Sequence, residues 1–254
     1  MQCGAKDIII TGRSPEKGAK VVQKLHEQGA NPKFIQGDLE NVEAPRPNPN
    51  MTPAHHNPSP STQDCRGIIA FADAEFGRVD CLVNAAAITD RGTIGDTTVE
   101  LWDRMMAVNL RAPFLLTQEA VRLMRRDNIK GSVVNICTMS AHGGQPFLTA
   151  YSTSKGGLVT FTKSVAHSLR HDQIRVNAIN MDWCETPGEH AIQAKDGNDP
   201  ATWLASGDAN QPFGRILRPR DVSNLAIFML SNQSAPMMTG AIVDLSQNVM
   251  GGYD

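Results

Sequence analysis

The sequence predicts a single domain with a doubly wound α/β fold and a parallel sheet. Short β-branched apolar runs alternate with helical segments along most of the chain. Strands separated by crossover helices lie parallel, because a crossover returns the chain to the same edge of the sheet. The 254 residues are also enough to bury a large core without disulfides or a bound metal.

The first alternation is a strand, a helix and a second strand. The run DIIIT from Asp7 to Thr11 predicts a buried strand closed by Gly12. Ser14 and Pro15 then have the residue types of an N-cap and a first helical position, which starts a helix that ends near Gln28. A second short strand follows over Lys33–Gln36.

Residues 41–64 interrupt this alternation with six prolines between Pro45 and Pro60. Proline removes backbone donors, so we predict a solvated loop insertion here rather than a helix or a central strand. The adjacent His55 and His56 lie in this loop, but no acidic or cysteine ligand is near them in sequence. We therefore predict no metal site.

The alternation resumes after this loop and continues to the last strand. The predicted strands cover 80–84, 132–137, 174–179 and 240–245. The predicted helices cover 64–76, 99–109, 113–127, 151–169 and 220–230. Residues 180–212 are rich in loop-forming residues and predict short helices at most.

Composition excludes several classes of partner. Lysine and arginine number 24 against 26 aspartates and glutamates, so the chain has no basic surface for nucleic acid. No run of 18 apolar residues predicts a membrane span, and Met1–Asp7 does not resemble a signal peptide. The five cysteines contain no CxxC pair, which is typical of reduced thiols in a cytoplasmic protein.

The segment from Tyr151 to Lys155 carries the clearest chemical signal. Residues four apart share one face of a helix, so the phenol and the ammonium project together. A nearby ammonium favours the phenolate and lowers the pKa of tyrosine, which is otherwise too high for base chemistry at neutral pH. A YxxxK spacing arises often by chance, so the surrounding sequence has to support it.

Other polar and small residues fall where a ligand crevice is expected. Thr138 and Ser140 follow the strand SVVNIC, and the ends of parallel strands face the crevice in which ligands bind. A loop over Gly143–Pro146 leads from there to the helix of Tyr151. Asn109 ends the helix ELWDRMMAVN, and Asn84-Ala85-Ala86-Ala87 ends another strand with side chains small enough for close approach.

At these positions the sequence resembles the short-chain dehydrogenase/reductase family, over residues 7–40 and about 65–250. The segments that carry the resemblance are GRVDCLVNAAA, MMAVNLRAPF, GSVVNICTMSAHGGQPFLTAYSTSKGGL, IRVNAIN and MTGAIVD. The resemblance implies a Rossmann-like fold. It also implies an NAD(P)-dependent oxidoreductase that moves hydride between a nicotinamide and a carbonyl or alcohol substrate.

The resemblance assigns four catalytic roles. Tyr151 would be the acid/base, and Lys155 would lower its pKa and hold the nicotinamide ribose. Thr138 stands where the family has a serine that orients the substrate oxygen; it retains the hydroxyl with an added methyl group, so we expect reduced function there. Asn109 would anchor a proton-relay water.

The cofactor expected from the resemblance is NADP, with NAD as the alternative. Arg13 follows the family's second strand, where an acidic residue would bind the ribose hydroxyl of NAD and an arginine suits the 2′-phosphate of NADP. Asp38 and Leu39 would flank the adenine. The remaining implied contacts are Asn84, Ala85 and Ala86 at the cofactor floor, Lys155 at the ribose and Thr186 at the carboxamide.

The sequence also departs from the family pattern. No TGxxxGxG motif occurs in the 254 residues, although that turn supplies helix N-terminal amides to the cofactor pyrophosphate. The family's first strand would lie between the strands DIIIT and DCLVN. Without it, either these two strands pair directly or residues 1–64 are loosely held, and we expect direct pairing. The family's proline–glycine pair is Met181-Asp182, and Ala85 and Ala87 replace an asparagine and a glycine.

These departures leave alternatives open. One is a truncated, cofactor-poor relative without enzymatic activity, and another is a true start upstream of Met1. We expect a homo-oligomer, a tetramer or a dimer, through helices 113–127 and 151–169. Residues 186–212 would form the substrate lid, and their polar content suits a small polar carbonyl, polyol or sugar. His142 either touches substrate or is an ordinary surface histidine.

Overall fold

A computed structural model describes residues 5–40 and 65–250 of the chain. The predicted proline-rich loop and the pair His55-His56 lie outside these residues. The strands are β1 (Asp7–Gly12), β2 (Asn31–Gln36), β3 (Cys81–Asn84), β4 (Ser132–Thr138), β5 (Arg175–Met181) and β6 (Ile242–Leu245). The helices are α1 (Pro15–Glu27), α2 (Cys65–Phe76), α3 (Val99–Met106), α4 (Ala112–Arg126), α5 (Thr149–Ser168), α6 (Pro187–Lys195), α7 (Trp203–Ala209) and α8 (Pro219–Leu230).

The fold is the predicted doubly wound α/β arrangement, and every strand pair is parallel. The larger sheet has the order β3-β4-β5-β6. Successive side chains of a strand point to opposite faces, so Val133 packs among the residues of α4 whereas Val134 packs against α8. Because helices cover both faces, β4 and β5 are almost completely buried.

The predicted direct pairing of the strands DIIIT and DCLVN is wrong. Within residues 5–40 and 65–250, strand β1 pairs only with β2, so these two form a separate small sheet, and β3 is an edge strand of the larger one. The sheets are joined by helix packing instead. Ile68 and Ile69 of α2 share one apolar cluster with Ile35 of the small sheet and with Leu116 of α4, and this layer holds β1 beside β3 without a hydrogen-bonded ladder.

Helices α3 and α4 are continuous through a π-helical turn over Ala107–Arg111, which contains Asn109. A π-helical turn rotates the residues that follow it relative to a regular helix and is frequent at functional sites. Strands β3, β4 and β5 all end at the same edge of the larger sheet, since Asn84 lies opposite Asn135 and Thr138 lies opposite Met181. In residues 5–40 and 65–250, no helix is long and apolar enough to cross a bilayer.

Candidate active site

Tyr151 and Thr138 meet at the end of β4. Thr138 is the last residue of β4, and α5 begins at Thr149, so Tyr151 lies in the first turn of that helix. The Thr138 side chain lies close enough to the tyrosine hydroxyl to lower its pKa, and its Oγ1 accepts from the backbone N–H of Ser140 at 3.2 Å. Burial raises the pKa of Tyr151 to about 12, the Thr138 side chain opposes this rise, and the negative charge of Glu189 adds to it.

Lys155 lies one helical turn after Tyr151 and is only 3% exposed. Its Nζ donates to the backbone oxygen of Ile136 at 2.7 Å, and burial lowers its pKa. The lowering of the Tyr151 pKa by this ammonium stays a prediction, because the effects that shift the phenol in this arrangement do not include one from Lys155. The lysine lies on the same face of α5 as Tyr151, as predicted, but its ammonium donates to the backbone oxygen of Ile136. Burial is therefore the largest effect on the pKa of the Tyr151 phenol.

Asn109 ties three segments of the site together. Its Oδ1 accepts from the backbone N–H of Ile88 at 2.9 Å, and its Nδ2 donates to the oxygen of the same residue at 2.9 Å. The Nδ2 also donates to Ser154 Oγ at 3.2 Å, and Ser154 Oγ donates to the backbone oxygen of Tyr151 at 2.7 Å. The predicted catalytic residues Tyr151, Lys155, Thr138 and Asn109 are thus brought together.

Asn84 is turned into the protein rather than toward an open cleft. Its Nδ2 donates to Asn135 Oδ1 at 2.8 Å and to Thr117 Oγ1 at 3.3 Å. Asn135 in turn donates to Thr162 Oγ1 at 2.9 Å, which completes a buried polar network beneath the strand ends. The Oδ1 of Asn84 is buried without a hydrogen-bond partner among the described residues, so one acceptor remains at this position. The exposed Ala85 follows it.

A cavity lies between the end of the small sheet and the segment after β3. Among its lining residues are the predicted cofactor contacts Arg13, Asp38, Leu39 and Ala86, together with Thr11 and Gly37. The Oγ1 of Thr11 is buried there and has no hydrogen-bond partner among the described residues. A Cβ on Gly37 would lie 2.9 Å from that oxygen, so glycine is needed for the close approach. The Glu40 carboxylate pairs with Arg104 Nε at 3.1 Å across the rim.

Comparison with known proteins assigns the chain to a family. The family described as enoyl-(acyl carrier protein) reductase matches residues 17–247. Carbonyl reductase [NADPH] 2 from Sus scrofa is 31% identical over 89% of this chain and 89% of that protein. A probable galactose dehydrogenase from Rhizobium meliloti is 30% identical over 94% of this chain and 93% of the relative. The chain belongs to the short-chain dehydrogenase/reductase family of oxidoreductases.

The fold agrees with that of solved members of the short-chain dehydrogenase/reductase family. The crystal structure of an NAD⁺-bound xylitol dehydrogenase superposes with a TM-score of 0.78 at 22% identity, covering 95% of this chain and 88% of the other. At this level of identity the likeness concerns the fold. The doubly wound architecture predicted from the sequence is confirmed.

Asp182 stands where this family usually has glycine, and its carboxylate is hydrogen-bonded to Trp183 and to the segment after β6. Its Oδ1 accepts from the N–H of Trp183 at 2.7 Å, and its Oδ2 accepts from Ser246 Oγ at 2.5 Å and from Asn248 Nδ2 at 3.2 Å. The Asp182 carboxylate therefore links the segment after β6 to the end of β5 by hydrogen bonds.

His142 is fully engaged at the same edge of the sheet. Its Nε2 lies 3.1 Å from Asp244 Oδ1, and Asn180 Nδ2 donates to the same oxygen at 2.8 Å. This arrangement fits the interpretation of an ordinary, satisfied histidine. Within the described part of the chain, no group of three or more histidine, cysteine, aspartate or glutamate side chains could hold a metal ion.

The lid region contains Glu189, which the sequence analysis did not single out, close to the predicted cofactor contact Thr186. Thr186 caps α6, since its Oγ1 accepts from the N–H of Glu189 at 3.0 Å. Glu189 Oε1 accepts from Trp183 Nε1 at 2.8 Å and from Gln193 Nε2 at 2.6 Å. The spacing Thr186-x-x-Glu189 matches the residue types of a capping box, and that signal could have placed both residues at the start of a helix.

Proposed function

We propose that this protein is an NAD(P)-dependent oxidoreductase that interconverts a carbonyl and an alcohol, with Tyr151 as the acid/base. The observation that carries the proposal is the position of Tyr151 in the first turn of α5, beside Thr138 at the end of β4, with Lys155 buried one turn later on the same helix. These groups converge at the strand ends, where open α/β sheets bind their ligands. The redox chemistry itself is supplied by the nicotinamide when it is bound.

In carbonyl reduction, Tyr151 would give its hydroxyl proton to the substrate oxygen while the carbonyl carbon receives hydride. The raised pKa keeps the phenol protonated near neutral pH, which suits donation in this direction. Thr138 would hold the substrate oxygen beside the phenol. Asn109 would position Tyr151 through Ser154, and its contact with Ile88 would fix the loop after β3.

The residues that would hold the nucleotide fit its adenosine half. Asp38 and Leu39 would flank the adenine in the cavity between the sheets, and the hydroxyl of Thr11, which also lines this cavity, has no hydrogen-bond partner among the described residues. Arg13 makes no side-chain ion pair within residues 5–40 and 65–250, so its guanidinium can meet a ribose 2′-phosphate. We therefore propose NADP as the preferred cofactor. Ala85 and Ala86, together with Thr186, would line the nicotinamide side.

The residues that usually contact the pyrophosphate of the cofactor in this family are not found in the sequence. The sequence has no TGxxxGxG turn, and the described residues place no strand between β1 and β3. We propose that this opening corresponds to the family's first strand and glycine-rich turn. This observation favours a second candidate function, a cofactor-poor relative that retains the fold and its oligomer contacts without catalysis.

Cofactor titration separates the two candidates. NADPH and NADH are titrated into the full chain and their fluorescence is followed, with Arg13→Ala as the matched variant. The oxidoreductase predicts saturable binding, tighter for NADPH, with that preference reduced in Arg13→Ala. Turnover of a ketone that is lost in Tyr151→Phe would then assign the catalytic residue. Absence of saturable binding by either cofactor up to millimolar concentration would support the second candidate.

We also propose a homo-oligomer, a dimer or a tetramer, that forms through α4 and α5. Phe114 of α4 is 43% exposed and packs edge-on against Phe161 of α5, with ring centroids 6.0 Å apart. An exposed aromatic pair of this kind is typical of an interface. Cys81, Cys137 and Cys184 are free thiols, which supports the proposal of a cytoplasmic location.

A further inference from the structure

Glu189 occupies a fixed position at the start of the lid helix α6. It is the third residue of that helix, and its backbone N–H is capped by Thr186. Two neutral donors, Trp183 Nε1 and Gln193 Nε2, both bind the same carboxylate oxygen, Oε1. Within residues 5–40 and 65–250, the second oxygen, Oε2, makes no hydrogen bond or ion pair. One acceptor is thus held in place and the other is available.

The donor that orients Glu189 is itself held by the lid. The rings of Trp183 and Trp203 lie 5.8 Å apart between centroids, and Trp203 is only 5% exposed. A Cβ on Gly207 would lie 3.1 Å from the Trp183 ring, so α7 packs directly against this indole. Because the indole is fixed from two sides, the carboxylate that accepts its N–H has little freedom to turn.

The segment that holds this carboxylate starts at the edge of the sheet where the reacting groups lie. Met181 lies opposite Thr138 in the β4–β5 ladder, and Trp183, whose indole N–H binds Glu189, follows Met181 by two residues. The segment that holds Glu189 therefore begins beside Thr138. The electrostatic effect of Glu189 on the phenol is consistent with this placement, because its negative charge raises the pKa of Tyr151.

We propose that Glu189 is a substrate-binding residue whose Oε2 accepts a hydrogen bond from a donor group on the substrate, close to the reacting carbonyl. The inference rests on the proposed function and adds the substrate class to it. A carboxylate next to the site selects substrates that carry a hydroxyl or an ammonium within one or two carbons of the carbonyl. Simple ketones lack the donor and leave the carboxylate without a partner.

The reaction of such a substrate balances without any further reagent. The π bond of the carbonyl would break, a C–H bond would form with hydride that a bound reduced nicotinamide supplies, and the Tyr151 O–H bond would break as its proton passes to the carbonyl oxygen, with the phenolate reprotonated from solvent. The substrate is reduced by two electrons and the nicotinamide is oxidised by two. Glu189 takes no part in this transfer and only orients the hydroxyl or ammonium beside it.

The test compares matched ketones in the wild type, in Glu189→Gln and in Glu189→Ala. The substrates are butan-2-one, 3-hydroxybutan-2-one, 4-hydroxybutan-2-one and 1-(dimethylamino)propan-2-one, reduced with NADPH or NADH. Glu185→Gln is the matched control, because it removes the same charge four residues earlier, where the carboxylate binds Arg218 and His190 instead. Binding without turnover is measured by titrating each ketone against tryptophan fluorescence, since Trp183 shares the Glu189 carboxylate.

For the hydroxyketones, we expect kcat/KM to fall about 10- to 100-fold in Glu189→Ala, mainly through KM, as for loss of a hydrogen bond to a charged group. Glu189→Gln retains a carbonyl acceptor and should lose less. Butan-2-one should be almost unaffected, and Glu185→Gln should resemble the wild type. If the amino ketone is the preferred substrate, Glu189→Gln should impair it as strongly as Glu189→Ala, which would assign an ammonium donor.

Two results would overturn the inference while leaving the proposed function intact. One is equal kcat/KM for butan-2-one and all donor-bearing ketones in the wild type. The other is a loss in Glu189→Ala that is the same for every ketone, which would assign Glu189 to lid stability alone. Failure to reduce any of the ketones with either cofactor, combined with no fluorescence response to them, would count against the proposed function and the inference together.

Discussion

Replacement of Asn109 by aspartate tests whether its amide holds the site together. The Nδ2 group of Asn109 donates to Ile88 O at 2.9 Å and to Ser154 Oγ at 3.2 Å, and the residue has no exposed surface. Asn109→Asp keeps the shape and the acceptor for the Ile88 N–H but removes both donors. The ionised carboxylate would also face the Ile88 carbonyl oxygen without a compensating cation.

The expected cost depends on pH. An uncompensated buried charge destabilises by about 3–5 kcal/mol, whereas a protonated carboxyl can donate to Ile88 O and should cost about 1–2 kcal/mol. Burial raises the folded-state pKa of the introduced carboxyl above its unfolded value of about 3.9. Protonation of this carboxyl therefore stabilises the folded variant fully when the pH is below the pKa of the carboxyl in the unfolded chain. This stabilisation is lost as the pH rises through the pKa of the carboxyl in the folded protein.

The assay is urea unfolding of both proteins at several pH values between about 5 and 8. The difference in unfolding free energy between wild type and Asn109→Asp should widen as pH rises, with a midpoint shift of about 1 M or more at pH 8. Asn210→Asp introduces the same change at an exposed position and should alter stability by less than about 0.5 kcal/mol. A difference below about 1 kcal/mol, or one independent of pH, would refute the assigned hydrogen bonds.

Three other predictions follow from ion pairs and burial. Arg91 Nε lies 2.5 Å from Asp196 Oδ2 and joins the loop after β3 to the end of α6. Reversing either charge should raise KM about fivefold. The double variant, Arg91→Asp with Asp196→Arg, should restore it. A double variant with KM no lower than that of the single variants would contradict the proposal that this ion pair holds α6 against the loop after β3. Burial raises the pKa of Cys137 to about 11, so iodoacetamide at pH 8 should modify it far more slowly in the folded protein than in urea, as measured by mass spectrometry; equal rates would contradict this. The hydrogen bonds from Arg126 lower the pKa of Asp73, so this carboxylate stabilises the fold above its unfolded pKa and loses the effect as pH falls through the folded pKa. Asp73→Asn should cost about 0.5–1 kcal/mol in urea unfolding at pH 7 and almost nothing near pH 3, and a deficit that persists in acid would argue against the pair.

Local patterns were sufficient to predict most of the secondary structure. The strand DIIIT, the proline-initiated α1 and the apolar run SVVNIC each lie within a residue or two of their predicted bounds, because each has its own start and stop signals. The π-helical turn around Asn109 was missed, since AVNLR continues the helical periodicity of its neighbours. The turn is distinguished only by its backbone hydrogen bonding, in which the N–H of Ala112 donates to the oxygen of Ala107 five residues earlier.

Long-range geometry was not predictable in the same way. Tyr151 and Lys155 were placed on one face of a helix, but the direction of the lysine charge depends on Ile136 O, which lies nineteen residues away in another element. The role of Glu189 depends on Trp183 and on packing of that ring against α7. The pairing of β1 with β3 was predicted wrongly because a strand edge carries no sequence signal that specifies its partner.

The split sheet has a consequence for how the site is assembled. The predicted adenosine contacts Arg13 and Asp38 follow the two strands of the small sheet, whereas Tyr151 lies on α5, which packs against β4 and β5 of the larger sheet. Apolar contacts are non-directional, so the packing of α2 between the sheets fixes their separation less strictly than a ladder of hydrogen bonds would. The Glu40–Arg104 ion pair crosses the same boundary, but a half-exposed pair adds only about 0–1 kcal/mol. The distance between a bound nucleotide and the Tyr151 phenol is therefore set mainly by the apolar residues of α2 that pack between the sheets. Substitutions among these residues should weaken cofactor binding more than they disturb the geometry around Tyr151.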